Sequence, residues 1–501
     1  MSPPHTHGGN GAFHNYEADY AHIADPNERR RLALADIDSA PFGWYHVRAC
    51  VVAGVGFFTD AYDLFAINMI SGMLGLVYWQ TAKLNPGAIP SSSDTALKVA
   101  TSSGTVIGQL AFGALADIFG RKKMYGIELM VIIVATLAQS LPSDSESMHI
   151  VGVCYYKMWR IVVGFGAVPG CIALYYRLTI PETPRYTFDV ARDMVRGTAD
   201  ARAYMSGQSQ GQVDGLLHVQ TLQQDAARIE TPKASFKDFK NYYSKWKNAK
   251  ILIGTAGSWF FLDIAFCGLA LNNSVILTAI GYSGGSSVYK VLYNNAVGNL
   301  IIVCSGTVPG YWFTVALCDT VGRKPIQIMG FVILTILFTV LGFAYHQLSS
   351  HAIFAIIVLA QFFIQFGPNT TTFIVPGECF PTRYRSTSHG ISAAAGKVGS
   401  ILAQAVFGPL RTHGAPKSCS GAACSPWLNH VIQVFALLMV LGLLTTFLIP
   451  ETARRSLEEL SGEEECVRAA PMSQPETEGK KENEPEEGAK EVTTGSRAVN
   501  I

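Results

Sequence analysis

The sequence predicts an all-α membrane protein of ten spans arranged as two unequal helical bundles, and three observations lead to that expectation. Charged residues make up only 15% of the 501 positions and hydrophobic ones 49%, where a soluble protein of this length carries about 25% charge. The charge is also segregated, collecting in the first 40 residues, between 179 and 250, and after Glu451. Between those stretches lie apolar runs of 18 to 25 residues, the length a helix needs to cross roughly 30 Å of hydrocarbon.

The spans are expected at 46–70, 97–118, 124–141, 150–178, 250–271, 288–316, 325–346, 351–375, 387–410 and 428–449. Basic residues in short loops set the orientation. Arg121-Lys122-Lys123, Arg323-Lys324, Arg383 and Arg385 share one side with the middle loop segment SFKDFKNYYSKWKNAK, and the opposite loops at 80–96 and 272–287 hold few basic residues. Both termini and the middle loop are therefore expected in the cytoplasm. The first 20 residues lack the basic and short apolar regions of a cleaved signal peptide, so the run beginning near Gly43 is expected to direct insertion itself. The chain then divides into a cytoplasmic segment (1–43), a first bundle (44–180), a middle loop (181–249), a six-helix second bundle (250–450) and a cytoplasmic tail (451–501). The tail is rich in Glu, Lys, Pro and Gly and is expected to be disordered. Ten cysteines are scattered without a metal-like cluster. Cys419 and Cys424 share one polar loop, and either a disulfide or two free thiols fits them.

An internal repeat accounts for the two bundles. Phe57-Phe58-Thr59-Asp60 matches Phe260-Phe261-Leu262-Asp263, 203 residues later, and Asp117-Ile118-Phe119-Gly120-Arg121-Lys122 matches Asp319-Thr320-Val321-Gly322-Arg323-Lys324 at a spacing of 202. Pro181-Glu182-Thr183 matches Pro450-Glu451-Thr452, but at 269. The first half is thus 67 residues short, about two helices and a loop. The deficit projects to a seam at Arg160-Ile161 and corresponds to 363–429 of the second half. Six plus six spans become four plus six, and losing helices in a pair preserves the inside–outside alternation.

Duplicated bundles with a midplane site are a recurring transporter design. The Gly113-x-Leu115-x-Asp117-x-x-Gly120-Arg121-Lys122 loop resembles the signature of the major facilitator superfamily. Pro181-Glu182-Thr183-Pro184-Arg185 and the stretch from Pro376-Gly377-Glu378 to Arg385-Ser386 resemble motifs shared by its sugar and phosphate porters. FFTDAYDLFAIN (57–68), GTAGSWFFLDIAF (254–266), QFGPNTTTF (365–373) and AAAGKVGS (393–400) are similar to the phosphate:proton symporters of fungi and plants. That resemblance, over about 40–460, implies the major facilitator fold, a plasma-membrane location, and inorganic phosphate and protons as the transported partners.

Asp60 and Asp63 lie mid-span three residues apart, on nearly one helix face, and Asp263 lies mid-span in the fifth helix. A carboxylate in hydrocarbon costs about 2.5–3.5 kcal/mol on insertion scales and is usually functional. Burial there also lets it exchange a proton closer to neutral pH. A structural aspartate held by hydroxyls and backbone is the alternative, and the stronger one for Asp63. Phosphate is an anion, so its site must offer protonated acids, neutral donors or a cation. Trp259 lies one turn before Asp263, Asn369 stands at a Gly-Pro break, and Lys397 sits mid-span among Gly and Ala. The resemblance implies substrate-site roles for Trp259, Asp263, Asn369 and Lys397, with capping of a broken helix as the alternative for Asn369. It implies proton coupling for Asp60, Asp63 and Asp263, and a proton-pathway charge pair for Glu128 and Arg160. Asp117, Arg121, Asp319 and Arg323 read as gates at the cytoplasmic surface.

The chain also departs from that family. It has no Gly-Gly-Asp-Tyr-Pro signature from the fourth helix, it lacks a Gln from the fifth, and Cys267 replaces a Tyr one turn beyond Asp263. The substrate site is then expected to come mainly from the second bundle, with transport impaired; a splice form or a gene-model error is the simplest account of the loss. The sequence leaves open an organophosphate or sugar carrier and a non-transporting nutrient sensor. No Walker A loop, nucleophile elbow or His-x-x-Glu metal motif occurs, so neither an enzyme nor a cofactor is expected. No nucleic-acid partner is expected either; the partners are the lipid bilayer, phosphate and protons.

Overall fold

A computed structural model describes residues 28, 30–34, 43–78, 89–141, 159–179, 183–193, 196, 197, 200, 201, 235–282, 288–416 and 425–461. Among these residues all regular structure is helical. The first half contributes α1 (Trp44–Tyr78), α2 (Ser91–Phe119), α3 (Arg121–Gln139) and α4 (Ala167–Thr179), the last lying within a span at Trp159–Tyr176. After α5 (Pro184–Asp189) and α6 (Phe236–Ser244) come α7 (Trp246–Ala270), α8 (Asn273–Ala279) and α9 (Val288–Ile301). α9 passes through a π-helical turn (Ile302–Thr307) into α10 (Val308–Val321). Then follow α11 (Arg323–Phe343), α12 (Ser350–Gln365), α13 (Pro368–Cys379), α14 (Arg385–Arg411), α15 (Leu428–Thr446) and the short α16 (Leu457–Ser461).

Eight stretches among the described residues are long and apolar enough to cross a membrane, and the other two expected spans are present as α1 and α3. α1 contributes a shorter apolar stretch, His46–Thr59, ahead of its aspartates. α3 opens on Arg121-Lys122-Lys123 and carries Glu128, which lowers its hydropathy. The disulfide considered for Cys419 and Cys424 lies outside the described residues.

The repeat is visible in the backbone. Gly120 and Gly322, 202 residues apart, both adopt positive φ, 99° and 98°. Each ends one helix and begins the next, a conformation that costs glycine least. The largest apolar core belongs to the second half, where Phe331, Leu334, Phe338 and Leu341 of α11 meet Phe435 and Met439 of α15 and Leu262 and Leu269 of α7.

The halves meet mainly through α2 and α14, and α2 packs against α14 more extensively than against α1 or α3 of its own half. Small residues permit this approach. A Cβ on Gly113 would lie 2.8 Å from the Ser386 carbonyl oxygen, and nearer the other end Ser102 Oγ lies 3.1 Å from Ser400 Oγ.

Candidate functional site

α7 and α14 cross where Asp263 faces Lys397. Lys397 Nζ donates to Asp263 Oδ2 at 2.9 Å, with the Asp263 side chain 1% and the Lys397 side chain 18% exposed. A buried carboxylate needs such a partner, because desolvation otherwise costs several kcal/mol. One turn away Trp259 is buried, its ring edge-on to Phe373 and His389 at 6.1 and 5.6 Å between centroids. Gly396 makes room for it, since a Cβ there would lie 2.5 Å from Trp259 Cδ1. Trp259 is therefore packed inside the protein and is no interfacial anchor.

Asn369 stands at the expected break. Helix α12 ends at Gln365, and α13 begins at Pro368, which has no N–H to continue the ladder. The Gln365 carbonyl, buried and freed from the helix ladder, accepts from Thr314 Oγ1 at 2.9 Å and Thr370 Oγ1 at 2.7 Å. Asn369 Nδ2 donates to Tyr311 Oη at 2.9 Å and Gln365 Oε1 at 2.5 Å. Tyr311 also lies within electrostatic reach of Lys397 and Asp263, which joins the Asn369 cluster to the central ion pair. Tyr311 and Gln365 are absent from the sequence-level candidates. A polar residue two positions before the Gly-Pro break was the available signal for Gln365, and none marked Tyr311.

On the first half, α1 packs towards this region. Phe57 stacks edge-on to Phe373 at 4.9 Å, and Ile67 joins Cys267 and Leu271 in one apolar cluster. Asp60 and Asp63 lie on α1 between those contacts, but their side chains fall outside the described residues. Glu128 is half-buried on α3, and Arg160 is half-buried at the start of the span containing α4, with its guanidinium 5.8 Å from the Trp159 ring centre.

The two signature loops differ. Asp117 crosses between halves and caps α14, accepting from Thr387 N at 2.7 Å, Thr387 Oγ1 at 2.8 Å and Ser386 N at 3.2 Å. A carboxylate at a helix N-terminus satisfies free N–H groups and meets the positive end of the dipole. Arg121, 3.7 Å from Asp117, donates to the Thr382 carbonyl at 3.1 Å. Asp319, by contrast, is 73% exposed and bonded to Arg323 of its own half at 2.7 Å. Arg323 reaches Glu378 at 3.0 Å, and Glu451 accepts the backbone N–H groups of Arg323 and Lys324.

The repeat explains the difference. A spacing of 202 equates α2 with 293–321, the α9–α10 span, and α14 falls in the portion (363–429) whose first-half counterpart is absent. The flank of α9–α10 equivalent to the α14-facing side of α2 consequently meets no such helix here. Leu300 and Val315, the latter the counterpart of Gly113, are 61% and 66% exposed along it.

The middle loop docks at the base of α14. Asp238 of α6 accepts from Arg383 Nε at 3.0 Å and Tyr384 Oη at 2.8 Å, and Tyr243 Oη lies 2.5 Å from Ser388 Oγ. Burial pushes the Tyr243 phenol up, keeping it neutral at this contact. Among the described residues no group of His, Cys, Asp and Glu is placed to hold a metal ion.

The profile of the "Sugar (and other) transporter" family matches residues 49–154 and 147–463, two segments that meet just ahead of the Arg160-Ile161 seam. The chain is 52% identical to the "Repressible high-affinity phosphate permease" of Neurospora crassa, covering 95% of this chain and 98% of that protein. That alignment runs over 565 residues, more than the 501 of this chain, so the permease holds residues that this chain lacks. It is 45% identical to the "Inorganic phosphate transporter PHO84" of Saccharomyces cerevisiae, covering 91% of each. Among solved structures the proton:xylose symporter XylE, of the major facilitator superfamily, matches 83% of this chain and 98% of that one, with a TM-score of 0.57 and 17% identity. At that identity the likeness establishes the fold. The chain is a multi-pass membrane protein that belongs to the sugar (and other) transporter family of the major facilitator superfamily, among the fungal and plant inorganic phosphate transporters.

Proposed function

We propose that this protein moves inorganic phosphate together with protons across the plasma membrane by alternating access. The observation that carries the reading is the buried Asp263–Lys397 pair beside the Asn369–Tyr311 cluster, in a chain half identical to a phosphate permease. With Asp263 ionised, the charge of Lys397 is offset within the pair. A proton on Asp263 leaves the ammonium uncompensated and converts the acid into a donor, so the site then suits an anion. Trp259 supplies a neutral N–H donor to the phosphate oxygens, and Asn369 supplies another by exchanging its bond to Tyr311 or Gln365 for one to the anion. Loss of the proton restores the ion pair and expels the anion, which couples the two movements. Asp60, Asp63, Glu128 and Arg160 are assigned to the proton route from the first half. Asp117 and Arg121 close the cytoplasmic end, and Asp319 and Arg323 are assigned the same task in a twelve-span form. In this reading 44–180 is a truncated first bundle joined through the cytoplasmic loop 181–249 to the six-span bundle 250–450, with 1–43 and 451–501 as cytoplasmic ends.

Labelled-phosphate uptake in transport-deficient cells tests the proposal, using this chain and a form with an in-frame segment restored at Arg160-Ile161. The restored form is expected to accumulate phosphate in a proton-dependent manner, this chain to do so weakly, and Asp263→Asn to abolish accumulation in either. Uptake of a sugar or an organophosphate without phosphate refutes it.

A further inference from the structure

At the end of α2 opposite Asp117 lies a second contact between the halves, at a residue the sequence did not single out. Lys98, on α2, is 4% exposed although it sits within a membrane span. Its ammonium is neutralised on its own helix by Asp94, at 2.7 Å and one turn away. It also reaches across to the other half, donating to Asn272 Oδ1 at 3.0 Å. Asn272, just past the end of α7, donates to the Gly268 carbonyl at 2.9 Å and to Gln404 Oε1 of α14 at 3.2 Å. Gln404 in turn donates to the Cys267 carbonyl at 2.9 Å. One turn further inward Ser102 meets Ser400, and Lys397 follows one turn beyond that. A continuous polar seam therefore joins α2 to α7 and α14 from the central ion pair to the far end of the span.

We infer that Lys98 is the outer lock of the transport cycle, holding α2 against Asn272 and opening when the halves separate on the side away from Asp117. The inference rests on the two-bundle transporter reading. The bond distribution suits a releasable contact. The ion pair Lys98–Asp94 lies within α2 and travels with it, so separating the halves breaks no salt bridge and strands no unpaired charge in hydrocarbon. Among the described residues the bonds that cross the seam run from Lys98 to the neutral Asn272 amide and between the Ser102 and Ser400 hydroxyls, and water replaces each of them on opening. At the inner end Asp117 bonds α14 in the same structure, so α2 is held to the other half at both of its ends. Alternating access then requires one of these contacts to open at a time. Once open, Lys98 presents a positive charge to water at the mouth of the path an anion must enter.

The test reads closure directly and does not depend on phosphate. Ser400→Cys, behind the lock, is labelled with a membrane-impermeant thiol reagent applied from outside the cell, and modification at position 400 is followed by mass spectrometry to separate it from the native cysteines. Lys98→Gln is expected to raise the labelling rate about five- to tenfold, the shift from losing one net hydrogen bond. Asn272→Ala, which removes the acceptor and leaves Asp94–Lys98 intact, is expected to do the same. Gel filtration in detergent identifies folded variants, and if Lys98→Gln fails to fold, Asn272→Ala decides alone. Labelling at the parent rate in either folded variant overturns the lock. Failure of phosphate uptake with raised labelling would leave the lock standing and count against the substrate assignment only.

Discussion

Lys397 and Asp263 form a 2.9 Å ion pair between α14 and α7, with the carboxylate almost wholly removed from solvent. Two helices 134 residues apart in sequence are joined there by the pair to which the proposed coupling is assigned. Removing one partner strands the other. Asp263→Asn is expected to cost about 3–5 kcal/mol, read as a fall in thermal midpoint in detergent. The double variant Asp263→Leu with Lys397→Met is expected to recover most of that stability and no phosphate uptake. Full stability in both single variants would remove the pair from the core of the fold.

Asn369 spends both amide hydrogens on Tyr311 and Gln365. Asn369→Ala is expected to raise the KM for phosphate about three- to tenfold, with Tyr311→Phe changing it less, since a net hydrogen bond is worth roughly 0.5–1.5 kcal/mol. Uptake kinetics of the twelve-span form check this. A change confined to kcat would shift the role of Asn369 from binding to conformational change.

Gly396 lies under the Trp259 indole. Adding a methyl forces ring or helix to move, so Gly396→Ala is expected to destabilise by about 1–3 kcal/mol and to alter tryptophan emission. Unchanged emission and thermal midpoint would show that the indole has room to spare.

Asp117 and Asp319 occupy equivalent places in the repeat but different surroundings. Asp117→Ala removes the α14 cap and is expected to cost about 0.5–2 kcal/mol, with faster thiol labelling from the cytoplasmic side. Asp319→Ala, at a side chain 73% exposed, is expected to leave stability unchanged in this chain. With the in-frame segment restored it is expected to become as costly as Asp117→Ala. Equal effects of Asp319→Ala in both forms would contradict the assignment of the gap.

By itself the sequence determined the all-helical membrane fold, the place of the eight longest apolar helices and the repeated motifs behind them. These are carried by local quantities: apolar run length, basic residues at loop ends, and spacing between repeated motifs. The helix break at Gly367-Pro368 and the paired turns at Gly120 and Gly322 were legible for the same reason, since proline and glycine act on their own backbone. Only the tertiary structure decided which polar groups meet. Lys397 was readable as a cation near the site, but its bond to Asp263 depends on the rotation of α14 against α7. Tyr311 escaped notice because nothing in its immediate neighbours distinguishes it, and the bonds of Lys98 to Asn272 and of Tyr311 to Asn369 are made to other helices. The contrast between Asp117 and Asp319 is of the same kind, because matching local motifs differ in whether a helix stands opposite. Helix formation is fixed by hydrogen bonds within about four residues, whereas the meeting of side chains across helices is set by packing of the whole bundle.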